Sequence, residues 1–131
     1  MPPPVYKLEG IGEDFTPKAL DWSVIDDVIQ VSDKDSLVTA RQLARAEGLF
    51  AGGSSGAAML AALQVASTLG PNDQVVVVLP DGGRQYLGKL YNDDWMRVHG
   101  SQEAPPPLRV SCCAGAGSIS SAWQGEFPLK T

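Results

Sequence analysis

Apolar residues at positions 37, 40, 43 and 44 recur with helical spacing and share one face, while Arg41 and Arg45 fall on another. The pattern predicts a helix over SLVTARQLARAEG. Ser32 stands ready to cap its N-terminus, with Asp35 three residues on as a capping-box partner, and Gly48 is a natural stop. A second pattern, the small-residue run AAMLAALQVASTLG, predicts a helix from Ala57 to Gly70, closed by Pro71. Three short runs have the character of strands: Val28–Val31, Leu49–Ala51 and Gln74–Pro80. The last, QVVVVLP, is apolar on both faces, as a buried parallel strand is. Asp81 to Arg84 reads as a loop and Tyr86 to His99 as one or two short helices. Residues 1–21, with three consecutive prolines and the turn-like EGIGEDFTP, read as irregular.

Alternating strands and helices predict an α/β fold with a parallel or mixed sheet. Three strands make a sheet too small to cover both faces, which points to half a domain rather than a whole one. Residues 101–131 (PPP, SCCAGAGSISS and scattered aromatics) follow neither strand nor helix period and are expected to form a disordered tail.

Composition narrows the function classes. The 131 residues allow one domain at most, and 44% hydrophobic with 19% charged residues is ordinary for a soluble globular chain. A net charge of -5 with no Lys/Arg cluster argues against nucleic acid. The longest apolar run, Val75–Pro80, is far short of the ~20 residues a spanning helix needs, which argues against a membrane role. MPPPVYKLEG lacks the pattern of a signal peptide. The adjacent Cys112 and Cys113 cannot staple a fold, so a reducing cytoplasm is the expected setting. The sequence suggests no metal ligands and no catalytic side chain.

The candidate chemistry centres on GGSSG, Gly52 to Gly56, between a short apolar run and a helix. A glycine turn opening a helix presents free N–H groups and the positive end of the helix dipole. Such a place suits a ligand, with a serine aimed at it. Three readings stand side by side. The glycines can serve packing alone. The pentapeptide also fits G-x-S-x-G, a hydrolase elbow with Ser54 as nucleophile, Asp81 and His99 following in the right order. No upstream strand and loop supplies the second oxyanion donor of that reading, and His99 is the only histidine. The third reading is a cofactor site.

That third reading rests on more than five residues. YKLEGIGEDFTP, VIDDVIQVSDKDS, ARQLARAEGLFAGGSSGAA and VVVVLPDGGRQYLGKLYNDDWM occur in this order. Together they resemble the C-terminal part of the catalytic core of the cystathionine β-synthase family, within the β-family (fold type II) of pyridoxal-phosphate enzymes that includes cysteine synthase. The resemblance spans about residues 5–100. It implies a partial three-layer α/β sheet for residues 1–100 and pyridoxal 5'-phosphate as cofactor. The implied reaction is β-replacement on serine or an acylated serine by a thiol.

The resemblance also assigns roles. Ser54, after Gly53, would donate to the cofactor's pyridine nitrogen. Gly10 and Gly12 match a GIG segment that closes over cofactor and substrate. Pro80 and Asp81 fall at a strand end near the ring, where ligands sit in α/β sheets; Asp81 could equally cap the next helix. The family's anchoring lysine, in a Ser-x-Lys setting, has no counterpart among Lys7, Lys18, Lys34, Lys89 and Lys130. Its phosphate loop and ring-hydroxyl asparagine have none either. The chain is therefore expected to be an inactive fragment whose parent binds an amino acid and a thiol. It would act as a homodimer or pair with the missing N-terminal part. A non-catalytic module that docks on a complementary half is the alternative.

Overall fold

The computed structural model describes residues 6–12 and 15–99. The expected tail at 101–131, with its two cysteines, lies outside the described residues. So do Glu13 and Asp14 of the turn-like segment. Among the described residues a short 3-10 turn (Trp22–Val24) precedes three α-helices: α1 (Asp33–Glu47), α2 (Gly53–Ala66) and α3 (Asp93–Val98). A second 3-10 turn, Gly83–Tyr86, lies between α2 and α3.

Helix α1 forms where its periodicity places it. The Ser32 hydroxyl accepts from the Asp35 backbone N–H, capping the helix, and donates to the Asp35 carboxylate, so the pair meets through its side chains rather than in the reciprocal backbone form of a capping box. Gly48 ends the helix in the left-handed region at φ 70°, which costs a glycine little. Leu37, Ala40 and Leu43 are buried as the pattern predicts, and Ala44 is half-buried. Arg41, which the pattern places on another face, pairs with Asp93 of α3.

Helix α2 starts earlier and stops sooner than its apolar pattern. It starts at Gly53 because Gly52 takes the N-cap position. It stops at Ala66 because the hydroxyls of Ser67 and Thr68 donate to the carbonyls of Gln64 and Val65, at 2.6 and 2.7 Å. Those carbonyls then need no further turn of helix.

Helices α1 and α2 pack with backbones in near contact. A Cβ on Gly56 would stand 2.1 Å from the Ser36 carbonyl oxygen and 2.8 Å from the Ala40 nitrogen. The core beneath them is Leu8, Leu37, Val38, Ala40, Ala57, Tyr86, Leu90 and Met96, with Val31, Tyr91 and Trp95 packed on its margin. No buried side-chain polar atom among the described residues lacks a hydrogen-bond partner.

The expected three-stranded sheet is not formed among the described residues. Val28–Val31 and Gln74–Pro80 enter no ladder, and Ala51 makes a single antiparallel bridge to Gly82. Val76 is 90% exposed and Val78 75%. The physical reason is that a ladder needs a paired strand, and the described residues bring none beside the valine run.

Packing this close at Gly56 makes one outcome specific. Gly56→Ala is expected to destabilise the chain by about 1–3 kcal/mol through overpacking. Denaturant unfolding checks it; an unchanged midpoint would mean that the two helices do not approach as described.

Candidate functional site

The first turn of α2 is met by Asp81 from across the fold. The bridge at Ala51 and Gly82 sets this meeting: Gly83 N–H donates to the Phe50 carbonyl at 2.9 Å, and Gly52 N–H to the Asp81 carbonyl at 3.1 Å. The Tyr91 hydroxyl donates to the Ala51 carbonyl at 2.6 Å and clamps the same segment from the other side. Burial pushes the Tyr91 phenol above its ordinary range.

Gly52 offers no side chain to cap α2. Its missing Cβ would lie 2.1 Å from Asp81 Oδ1 and 2.7 Å from Oδ2. The Asp81 carboxylate thus occupies the place an N-cap side chain would fill, where a negative charge is favoured by the helix dipole. Three side chains donate to it: Ser54 Oγ to Oδ1 at 3.3 Å, Gln85 Nε2 to Oδ2 at 2.8 Å, and the Tyr86 hydroxyl to Oδ2 at 2.6 Å. The Asp81 main-chain carbonyl accepts a fourth side-chain donor, Ser55 Oγ, at 3.3 Å, beside the Gly52 N–H. The hydrogen bond to Asp81, and then burial, hold the Tyr86 phenol above its ordinary value of 10.0.

This constellation decides what the helix mouth can hold. With a carboxylate already at the N-terminus, a second anion such as a phosphate is disfavoured. A neutral or protonated ring nitrogen remains compatible, with Ser54, half-buried, at the edge of the turn. The residues present therefore fit the nitrogen end of a pyridine cofactor rather than its phosphate end.

The sequence-derived candidates divide accordingly. Ser54, Gly53 and Asp81 come together. Gly53 is a packing glycine: its Cβ would lie 2.7 Å from Leu8 Cδ2 and 3.3 Å from Leu37 Cδ2. The cleft beside it, lined by Leu8, Tyr86 and Leu90 among others, measures about 10 Å³, room for about one water. Gly10 and Gly12 adopt φ of 80° and 81°, which favours glycine, and Gly12 lies against the Tyr6 ring. Leu8 ties their segment to the start of α2. Pro80 is exposed. Among the described residues no group of His, Cys, Asp or Glu is placed to hold a metal, and no helix is long and apolar enough to cross a membrane.

The elbow geometry fails in its second half. His99 Nδ1 lies 2.8 Å from the Trp95 carbonyl, and its ring stacks on Trp95 with centroids 4.1 Å apart. The histidine is held on its own helix, and Asp81 bonds to the serine directly instead of orienting a base. Sequence reasoning missed Gln85 and Tyr86. The signal was their spacing, four and five residues after Asp81, which one turn of 3-10 helix folds back onto the carboxylate.

Comparison with known proteins shows the family. A family described as pyridoxal-phosphate dependent enzyme matches residues 1–81. Cystathionine beta-synthase of Apis mellifera is 50% identical over 95 residues, covering 72% of this chain and 19% of that protein. The Mus musculus enzyme is 45% identical over 95 residues, covering 72% and 17%. The chain thus spans less than a fifth of the curated relatives it matches. Among solved structures, a hydrogen sulfide-producing enzyme from Fusobacterium nucleatum has a TM-score of 0.61 at 35% identity, over 69% of this chain and 27% of that one. Cysteine synthase from Entamoeba histolytica has a TM-score of 0.62 at 27% identity, over 74% and 31%.

The raised Tyr86 pKa carries a pH dependence. A phenol that titrates higher in the folded chain contributes stability fully present below the unfolded value, near 10.0, and lost as pH rises through the folded value. Stability is expected to fall above pH 10, and Tyr86→Phe to flatten that fall. Unfolding midpoints measured across alkaline pH check it; parallel curves for the two chains would count against the contact.

Proposed function

The chain belongs to the pyridoxal-phosphate-dependent enzyme family, and we propose that it is the part of a cystathionine β-synthase-like catalytic domain that receives the cofactor's ring nitrogen. The observation that carries this reading is Ser54, at the mouth of α2 with its hydroxyl beside a carboxylate that keeps anions away. When bound, the cofactor supplies an electron sink for replacing the β-substituent of serine or an acylated serine by a thiol.

The chain's own residues do three things in this reading. Ser54 meets the ring nitrogen with a neutral hydroxyl and orients the ring. The Gly10 to Gly12 segment, with its left-handed glycines, closes over cofactor and substrate. Asp81, after Pro80, stands at the C-terminal end of the valine run, the side of an α/β sheet where ligands collect.

The anchoring lysine, the phosphate loop and the ring-hydroxyl asparagine come from a complementary N-terminal part. Two of the described lysines are engaged elsewhere: Lys7 donates to the His99 carbonyl and Lys89 pairs with Glu9. The exposed Val76 and Val78 support such a complement, since a run apolar on both faces gains most when strands flank it. The expected architecture is then a share of the three-layer sheet of fold type II. The assembled enzyme would act on an amino acid and a thiol in a reducing cytoplasm, as a homodimer or as this pairing of parts.

Complementation tests the reading. The chain is mixed with the N-terminal part of a cystathionine β-synthase and pyridoxal phosphate, and cystathionine is measured from serine and homocysteine. Activity is expected only in the mixture, and Ser54→Ala should reduce it about 10-fold, the worth of one hydrogen bond of ~1.4 kcal/mol. Equal activity of the mixture with and without the Ser54 hydroxyl would remove Ser54 from the site.

A further inference from the structure

Ser54 has one hydroxyl proton, and Asp81 Oδ1 accepts it. Whatever a ring nitrogen takes from Ser54, it takes in competition with that carboxylate. The carboxylate is itself pinned from four directions. Tyr86 and Gln85 donate to Oδ2, Gly52 leaves it the space beside the N-cap, and the main-chain bond from Gly52 N–H to the Asp81 carbonyl fixes its backbone. Ser54 has no comparable hold of its own: at the first turn of α2 its side chain borders solvent and Oδ1 is the partner its hydroxyl reaches.

We propose that Asp81 is a positioning residue that holds the Ser54 side chain in a single rotamer at the mouth of α2, with Gly52, Gln85 and Tyr86 as the frame that fixes Asp81. The proposal rests on the reading of Ser54 as the cofactor-facing residue but concerns the chain before any ligand binds. A free serine side chain samples three staggered wells, and a bond to a fixed acceptor selects one. Asp81 then decides the angle at which the hydroxyl meets a ring, and its charge sets how tightly the proton is held. Gly52 belongs to the device because any side chain there displaces the acceptor.

The test is nuclear magnetic resonance on the full chain without ligand, reading the Hα–Hβ couplings of Ser54. The wild-type chain is expected to show the couplings of one rotamer. Asp81→Ala should collapse them to equal, averaged values, while Asp81→Asn, which keeps an oxygen acceptor, should largely restore the single rotamer. A merely structural role for Asp81 would leave Ser54 ordered in every variant that folds. The Tyr86 phenol, read by its own titration, should fall back toward its ordinary value in Asp81→Ala, showing that the carboxylate was where the frame requires it. Averaged couplings in the wild-type chain would overturn the proposal, whether or not any variant folds. So would a single rotamer retained in a folded Asp81→Ala chain. Failure of the complementation assay with ordered Ser54 couplings would instead fault the functional reading and leave the positioning role standing.

Discussion

The structure depends on the absence of side chains at the start of α2. Three glycines there meet three different parts of the fold at distances no Cβ tolerates: Gly52 the Asp81 carboxylate, Gly53 the Leu8 side chain, and Gly56 the backbone of α1. One helical turn is therefore the point where the N-terminal segment, the first helix and the loop after the valine run converge. A pentapeptide that looks like a ligand cradle is, glycine by glycine, a packing joint. The residue between them, Ser54, keeps a half-buried hydroxyl on the Asp81 carboxylate, and the proposed cofactor contact is assigned to it. The packing reading of GGSSG describes its glycines, and the proposed cofactor role concerns a different residue, the serine between them.

What could be read from the chain was local. The α1 helix, its Ser32 cap and its Gly48 stop all follow from interactions within a few residues, so periodicity and capping rules found them. The early start of α2 did not, because its N-cap space is filled by a residue far along the chain. The strands failed for a related reason. Val75 to Val78 has the composition of a central strand, but composition encodes only a demand for neighbours. Whether the demand is met depends on chain that pairs with it, and the described residues contain none. The hub at Asp81 was half legible: its position after a strand end was suggestive, while the donors from Tyr86 and Gln85 became apparent only once a 3-10 turn had folded them back.

Electrostatics then sorts the possible ligands. A bare helix N-terminus invites anions, and on that basis alone GGSSG would pass for a phosphate site. The carboxylate at the same spot reverses the preference, and four side-chain donors together with the Gly52 N–H converge on Asp81 to keep it there. The family that the sequence matches uses a pyridine cofactor. In the proposed assignment the phosphate is met by another part of the protein, and this helix takes the opposite end.

The two backbone bonds around Ala51 and Gly82 have a topological effect as well as a local one. They close the neck of a loop that contains all of α2, the Ser67 to Asp73 turn and the valine run. Closing a flexible loop costs only about 0.6 kcal/mol more for each doubling of its length. Insertions in the turn around Gly70 and Pro71 are thus nearly free, whereas a single residue added beside the neck would shift every partner of Asp81 at once. The fold thus tolerates a change of length at that distant turn while holding fixed the distance between GGSSG and its carboxylate.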